Sequence, residues 1–527
     1  MRPGGPPPGL VEAFWEYERA LMSDDVATLD RLFAPGAATL RGDASGLLVG
    51  HDRIAAFRSG RGGAPQRRVV ATHVQVVDDD HALVVAETAL ERGGRGLQTQ
   101  LWEQQADGWR VTGAHVSVPA PALDTRTWRV VGDPLVPPTG SGPLDGVTVA
   151  VKDLYAVAGH RVGAGNPAWL AEAPVETDHA AVVAELLDAG AALRGIARTD
   201  ELAYSLAGTN AHTGAPPNGA APYRVPGGSS SGSATAVALG QATVGLGTDT
   251  GGSVRVPAAY QGLWGLRTTH DAVDRTGLLP LAPDFDTVGW LTRDPDLLRR
   301  VGQVLLPTMA IEGTRELVTV PGLLDLAAPD VGAAVSRWAD EHGATRVEWP
   351  VDHLGDWLAA FQTWQSFQAW ESHGAWLERV GLDVLGADVR GRFERARSVT
   401  RDEADTAHAV VREARARVQE LVGERVLVLP SASSVAPLLG EGMQAVRDAT
   451  MRLTCLAGLG GLPALSVPVS TKPSGGPGLP CGVCLVAAPG RDHDLLDLAV
   501  ELHDSPQNSP QNSPQNSPHD PQQEAPR

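Results

Sequence analysis

The sequence predicts an α/β protein in which a large domain, a mixed sheet covered by helices on both faces, follows a small α+β cone domain. Three observations predict this. Within the first 118 residues the hydrophobic period changes once, from helical spacing to strand alternation. From Val147 onward, short apolar runs alternate with helical patterns, the arrangement that builds a parallel or mixed sheet with helices packed on it. Between the two lies a stretch rich in Pro and Gly without a sustained period. A chain of 527 residues with 43% hydrophobic content exceeds one ordinary domain and has ample material for two cores. The boundaries expected are a disordered N-terminus over 1–9, the cone over 10–118, a linker over 119–145, the large domain over 146–503, and a tail over 504–527. The tail repeats SPQN and has the composition of a disordered segment.

In chain order, LVEAFWEYERALMSDD places Leu10, Phe14, Tyr17 and Leu21 on one helical face, and DVATLDRLF reads as a second short helix. RRVVATHVQVVDDDHALVVAETAL and GLQTQLWEQQADGWRVTGAHVSV then read as strands, the latter pair joined by a turn at Asp107 and Gly108. In the large domain, VTVAVKD, DHAAVVAELLDAG and AALRGIARTDELAYS continue the alternation of strands with helices up to the central stretch. Residues 310–430 form a more helical, Trp-rich segment, whose aromatics read as helix core or pocket wall. RVLVLPSA, LGGLPALSVPV and LPCGVCLVAA return to strands before a last helix, DLLDLAVELH.

Composition excludes several classes of function. A formal charge of −19 disfavours nucleic acid and anionic membrane as partners, since both need a basic face. No run of about 18 uncharged apolar residues suggests a membrane span, and MRPGGPPPGL lacks the apolar core of a secretory signal, so a cytoplasmic protein is expected. Three cysteines make no disulfide framework. Cys481 and Cys484 form a CxxC, but in a strand positions i and i+3 face opposite sides, so they read as core residues and no metal is expected.

The richest stretch is GGSSSGSATAVALGQATVGLGTDTGGSVRVP, residues 227–257, with two glycine-flanked serine clusters. Glycines allow positive φ and close backbone approach, so serines in such turns stand clear for a substrate. A serine hydroxyl is inert at neutral pH unless a base takes its proton, and no histidine stands in a comparable setting. Lysine is the alternative. The chain has only two lysines, Lys152 and Lys472, in an otherwise arginine-written sequence. Lys472 lies in a loop-like STKPSGG, whereas Lys152 ends an apolar strand, where burial lowers a lysine pKa toward neutrality and arginine would stay charged. Ser253 then reads as nucleophile, Lys152 as base and Ser229 as the relay between them. The peptide N–H groups of Thr250, Gly251, Gly252 and Ser253 are placed to hold an oxyanion. Gly228 to Gly232 also satisfies G-x-S-x-G, but that elbow must follow a strand directly and here follows APPNGAAPYRVP.

These motifs, VAVKD around Lys152, PGGSSSGSA around Ser229 and GTDTGGSVRVP around Ser253, resemble the amidase signature family over roughly residues 130–503. The resemblance implies a Ser-cisSer-Lys triad, with Ser229 on a cis peptide bond, acting on a small-molecule amide through an acyl-enzyme without cofactor. It also implies that Asp249 and Arg255 brace the nucleophile turn and that Ser230 and Ser231 support the loop as helix-capping hydroxyls. Within the family the indole-3-acetamide hydrolase-like group looks nearest. Residues 10–118, ending in DGWRVTGAHVS, resemble the SnoaL/NTF2-like superfamily, and within it the small domain related to 1,3-dicarboxyurea hydrolase. That resemblance implies a pocket with Tyr17 and Arg41, and a homodimer is an alternative use for such a cone. Two rival functions follow from the same resemblances: a bifunctional hydrolase of carboxylated ureas, of dicarboxyurea or allophanate type, and a non-catalytic docking protein on an amidase scaffold.

Overall fold

The computed structural model describes residues 5–43, 46–61, 66–90, 95–117, 123–308, 313–440, 443–472 and 478–504. Of the two segments expected to be disordered, residues 1–4 and 505–527 lie outside the described residues. The first unit comprises α1 (Leu10–Met22), α2 (Val26–Leu32), β1 (Leu40–Asp43), β2 (Gly46–Val49), α3 (His51–Arg61), β3 (Arg67–Val76), β4 (His81–Leu90), β5 (Arg95–Gln105) and β6 (Gly108–Ser117). Its strands form a six-stranded sheet ordered β2-β1-β6-β5-β4-β3. Leu10, Phe14, Tyr17 and Leu21 are all buried, as their spacing predicts, and meet Ala82, Val84 and Ala86 from alternate positions of β4 in one core. Asp25 caps α2 by accepting from the Thr28 N–H at 3.0 Å. The β5–β6 turn is Ala106–Asp107, one residue earlier than expected, because Gly108 (φ +120°) already pairs with Gln105 as the first residue of β6. Three short elements between Leu40 and Arg61 carry too little periodicity to be read from sequence.

The second unit comprises β7 (Trp128–Val136), β8 (Thr148–Lys152), α4 (Pro167–Glu172), α5 (Ala181–Asp188), β9 (Ala192–Ala197), α6 (Ser231–Ala238), β10 (Val244–Asp249), α7 (Arg255–Gln261), β11 (Trp264–Arg267), β12 (Thr287–Thr292) and α8 (Pro295–Leu305). It continues through β13 (Leu317–Thr319), α9 (Pro321–Leu324), α10 (Pro329–Glu341), β14 (Thr345–Arg346), α11 (Leu354–Val380), α12 (Ala387–Ser398), α13 (Arg401–Val422), β15 (Val426–Pro430), α14 (Met443–Gly460), β16 (Ala464–Ser470), β17 (Pro480–Val486) and α15 (Asp492–Asp504). These strands make an eleven-stranded sheet ordered β14-β13-β15-β17-β16-β11-β12-β10-β8-β9-β7. It is mixed: β8 runs parallel to both β9 and β10, whereas β12 is antiparallel to β10 and β11.

The linker expectation needs a correction. Residues 128–136, inside the 119–145 stretch, form an edge strand on β9. Pro134, after a cis peptide bond, and two register shifts break its period, and an edge is where a sheet tolerates proline.

Alternation along the strands divides the core into two layers. Val426 and Val428 of β15 pack on one face with α5, α8, α10 and α15. Leu427 and Leu429 face α11–α14 on the other. Cys481 and Cys484 of β17 fall into opposite layers and are buried and unpaired. Helices α6 and α7 lie unusually close to the central strands because these carry glycine where they face the helices. A Cβ on Gly245 of β10 would stand 2.7 Å from the Ser233 carbonyl of α6, and one on Gly265 of β11 would stand 2.7 Å from the Ala258 Cβ of α7. Gly245→Ala is expected to push α6 outward and to cost about 1–3 kcal/mol. Thermal unfolding checks this, and an unchanged Tm would show that the sheet does not need glycine there.

Candidate active site

Strand β8 alternates its side chains, so Val149 and Val151 enter the outer core while Ala150 and Lys152 face α6. Lys152 is fully buried. Its Nζ lies 2.8 Å from Ser229 Oγ, 3.1 Å from Ser230 Oγ and 2.7 Å from Thr248 Oγ1. Burial lowers its pKa from 10.5 to about 7, against the opposing pull of Asp200, Asp249 and Asp286. The hydrogens can be assigned by elimination. Ser230 Oγ donates to the Thr248 carbonyl at 3.2 Å and accepts from the Thr248 N–H at 3.2 Å, so toward Lys152 it can only accept. Ser229 and Thr248 are left as the hydroxyls able to donate into the lone pair of a neutral amine.

Two turns bring the serine clusters together. Gly227 (φ +76°) admits no side chain, since its Cβ would stand 2.8 Å from the Pro257 Cα. Gly228–Ser229 is a cis peptide bond. The Ser229 carbonyl accepts from Thr199 Oγ1 at 2.9 Å and from the Asp200 N–H at 3.2 Å, and the Ser230 N–H donates to the Ser253 carbonyl at 3.3 Å. Gly252 (φ +123°) makes the second turn. Ser253 follows it, 3% exposed, at the edge of a small cavity that Thr250, Gly251, Leu281 and Met451 also border.

Asp249 organises this second turn. Its carboxylate accepts from the N–H groups of Gly252 (2.8 Å) and Val254 (3.2 Å), from Arg255 Nη2 (2.8 Å) and Nε (3.0 Å), and from Arg267 Nη1 (3.2 Å). Burial works against the charge, but Arg255 and Arg267 outweigh it and hold the carboxyl well below its usual range. Arg267 also donates to the carbonyls of Asp249 and Thr250, and Thr250 Oγ1 donates to Asp286 at 2.6 Å.

The geometry refines two expectations. The Gly252 N–H is engaged by Asp249, so of the four proposed oxyanion donors Thr250, Gly251 and Ser253 have N–H groups that bond to nothing among the described residues. Ser230 occupies the N-cap of α6, but its side chain does not cap: Lys152 and Thr248 draw the hydroxyl toward the sheet. Ser231 Oγ likewise donates to Asp200 at 3.0 Å. Thr248, Asp200, Arg267 and Asp286 are participants that sequence reasoning missed. For Thr248 the alternation of VGLGTD toward α6 was an available signal.

In the first unit, Tyr17 is buried with ring centroids 6.1 Å from Phe33 and 6.3 Å from Trp102. Arg41 on β1 donates to Asp43 at 2.8 Å and lies over the Phe57 ring at 4.3 Å. No bond among the described residues joins Tyr17 to Arg41. Among the described residues no cluster of three or more His, Cys, Asp or Glu side chains is arranged to hold a metal ion.

Comparison with known proteins bears on both units. Residues 138–314 match the family model described as Amidase, and residues 9–121 match AtzH-like. The chain is 36% identical to Amidase 1 of Arabidopsis thaliana, over 69% of this chain and 94% of that protein. It is 32% identical to the translocon at the outer membrane of chloroplasts 64 of Pisum sativum, over 68% of this chain and 66% of that protein. Among solved structures it resembles an inhibitor-bound vestigial complex described as revealing the origins of an s-triazine catabolic enzyme. The TM-score is 0.64 at 28% identity, over 69% of this chain and 84% of that one.

Replacing Asp249 with alanine strands two buried guanidinium groups and frees the Gly252 and Val254 N–H groups. The expected cost is about 3–5 kcal/mol of stability, read as a large fall in Tm. A variant melting with the wild type would show that the ion pairs do not hold the turn.

Proposed function

We propose, from the premise that this chain belongs to the amidase family, that it hydrolyses the C–N bond of a small carboxamide through an acyl-enzyme on Ser253. The observation that carries this reading is a lysine nitrogen buried among three hydroxyls with a pKa near 7. Neutral Lys152 accepts the Ser229 proton as Ser229 takes the proton of Ser253, and Ser253 Oγ bonds to the amide carbon. The negative oxygen of the tetrahedral intermediate rests on the free N–H groups of Thr250, Gly251 and Ser253. The proton returns through Ser229 to the nitrogen, the C–N bond breaks and ammonia or an amine leaves. Water then attacks the ester by the same route, restoring Ser253 and releasing the carboxylic acid.

The indole-3-acetamide hydrolase-like reading makes arylacetamides the first amides to assay. The AtzH-like match of the first unit favours a second reading, in which the two units act in sequence on carboxylated ureas. Allophanate and dicarboxyurea therefore belong in the same panel. Likeness to a chloroplast translocon component keeps a docking role as the outcome if no serine reacts.

Ser253→Ala should lower amide turnover by at least about 10⁴-fold and Lys152→Ala by at least about 10³-fold, measured as product release. A fluorophosphonate probe should label Ser253 in the wild type; an unlabelled protein with no amide turnover is the docking outcome. Because the working form of Lys152 is neutral, kcat/KM should rise with pH and level off above about 7, losing about tenfold per unit below it. A flat profile between pH 5 and 8 would remove Lys152 from the role of base.

A further inference from the structure

The cavity beside Ser253 has one wall that the proposed mechanism does not use. Arg447, on α14, borders it, as does Gln365 of α11. Arg447 also borders a larger neighbouring cavity that shares Ser205 and Leu206 with the first, so Arg447 stands where the two meet.

The Arg447 side chain is only 14% exposed, yet it donates no hydrogen bond to any described residue, and its Nε is sealed from water without a partner. The carboxylate of Asp448, next to it in the chain, lies 3.7 Å from Nη1, beyond hydrogen-bond distance. Arg392, bordering the larger cavity, shows what a satisfied arginine looks like here. It donates to both Asp388 oxygens at 2.7 Å and to the Tyr204 carbonyl. Of the two guanidinium groups, only that of Arg392 is hydrogen-bonded to a carboxylate; Asp448 stands 3.7 Å from Arg447. Gln365 is buried, and its amide likewise has no partner among the described residues.

A buried arginine cannot escape the cost of its charge by losing a proton, and its planar fork fits a carboxylate with two parallel bonds. We propose that Arg447 binds a carboxylate of the substrate, so that the amide opened at Ser253 is the half-amide of a short dicarboxylic acid. Because Arg447 and Ser253 border the same small cavity, the acid is a short one. The reaction is then half-amide plus water to dicarboxylate plus ammonia: the C–N bond breaks, water supplies the new C–O bond, and nitrogen leaves with a proton from the lysine relay. The inference rests on Ser253 as nucleophile, and its test is arranged so that the two fail separately.

Half-amides of four- and five-carbon dicarboxylic acids are compared with uncharged primary amides of the same length and with arylacetamides, using wild type, Arg447→Met and Arg447→Lys. The half-amides should be preferred by the wild type. Arg447→Met should lower kcat/KM for them by about 10²-fold or more, chiefly through KM, and leave uncharged amides within about threefold. Arg447→Lys should restore part of the loss. A wild-type preference for uncharged amides, or an equal loss on both classes in Arg447→Met, overturns the proposal while the nucleophile reading stands. Binding is measured separately, by calorimetric titration of the saturated five-carbon dicarboxylate into Ser253→Ala and Ser253→Ala/Arg447→Met. If the wild type cleaves no amide, the nucleophile reading falls, and this titration still decides the role of Arg447: binding lost with Arg447 supports it, and equal or absent binding overturns it.

Discussion

A lysine nitrogen held out of water beneath a helix is the constraint on which the rest of the large unit turns. Lowering its pKa from 10.5 to about 7 corresponds to roughly 5 kcal/mol of disfavour toward the charged form. That disfavour needs a dry site, and the site is dry because glycines at β10, β11 and β12 let α6 and α7 lie directly on the sheet. The same shift has a stability consequence whose sign is fixed. Between pH 7 and 10.5 the unfolded chain holds a proton on Lys152 that the folded chain has released, so stability rises with pH across that window and the burden is greatest below it. A fold that accepts this burden is arranged around a neutral amine. Three hydroxyls meet that need, because an amine with two hydrogens and a lone pair is satisfied by two acceptors and one donor.

Asp249 solves the complementary problem a few residues away. In the proposed mechanism the turn before Ser253 presents peptide N–H groups to a developing negative charge, yet unbonded N–H groups in a buried place are costly. Asp249 takes up those that point inward, on Gly252 and Val254, and leaves those of Thr250, Gly251 and Ser253. Its own charge is matched by Arg255 and Arg267, both fully buried. Removing Asp249 strands both guanidiniums, whereas removing either arginine still leaves the carboxylate paired with the other, so the arrangement depends most on Asp249. In the proposed mechanism Lys152 and Asp249 divide the work: one supplies a group that changes protonation, the other a frame that does not.

Much of this was legible in the sequence because it rested on rare residue types in unusual company. Lys152 stood out as one of two lysines, at the end of an apolar run, and the serine clusters stood out by their glycines. What escaped notice depended on direction. Ser230 occupies a cap position in sequence terms, but the pull of Lys152 turns its hydroxyl away from the helix. Thr248 is one threonine among many until the alternation of β10 aims it at the same nitrogen. The strand at Trp128–Val136 was hidden by Pro134, which breaks the period without ending the pairing at a sheet edge. In the first unit, Tyr17 was placed correctly on the buried face of α1; it packs against Phe33 and Trp102, and no bond among the described residues joins it to Arg41.

Arg447 was illegible for a different reason. Arginine is the common cation of this chain, and what distinguishes Arg447 is that, beside the cavity, it donates no hydrogen bond and has only the Asp448 carboxylate near it, at 3.7 Å, a property of the folded state. Most buried arginines in the described residues are enclosed by acceptors: Arg255 by Asp249 and the Thr454 carbonyl, Arg491 by Asp494 and the carbonyls of Glu424 and Thr314. A guanidinium that is not enclosed in this way, bordering the cavity beside Ser253, is a charge that the fold compensates only through Asp448 at 3.7 Å. The proposed proton relay has no use for it, since Lys152 already works against burial and a further cation nearby only favours its neutral form. The consistent account is that the compensating carboxylate arrives with the substrate. Its binding would then orient the amide toward Ser253 and, by neutralising Arg447, remove a positive field at the moment the lysine must accept a proton.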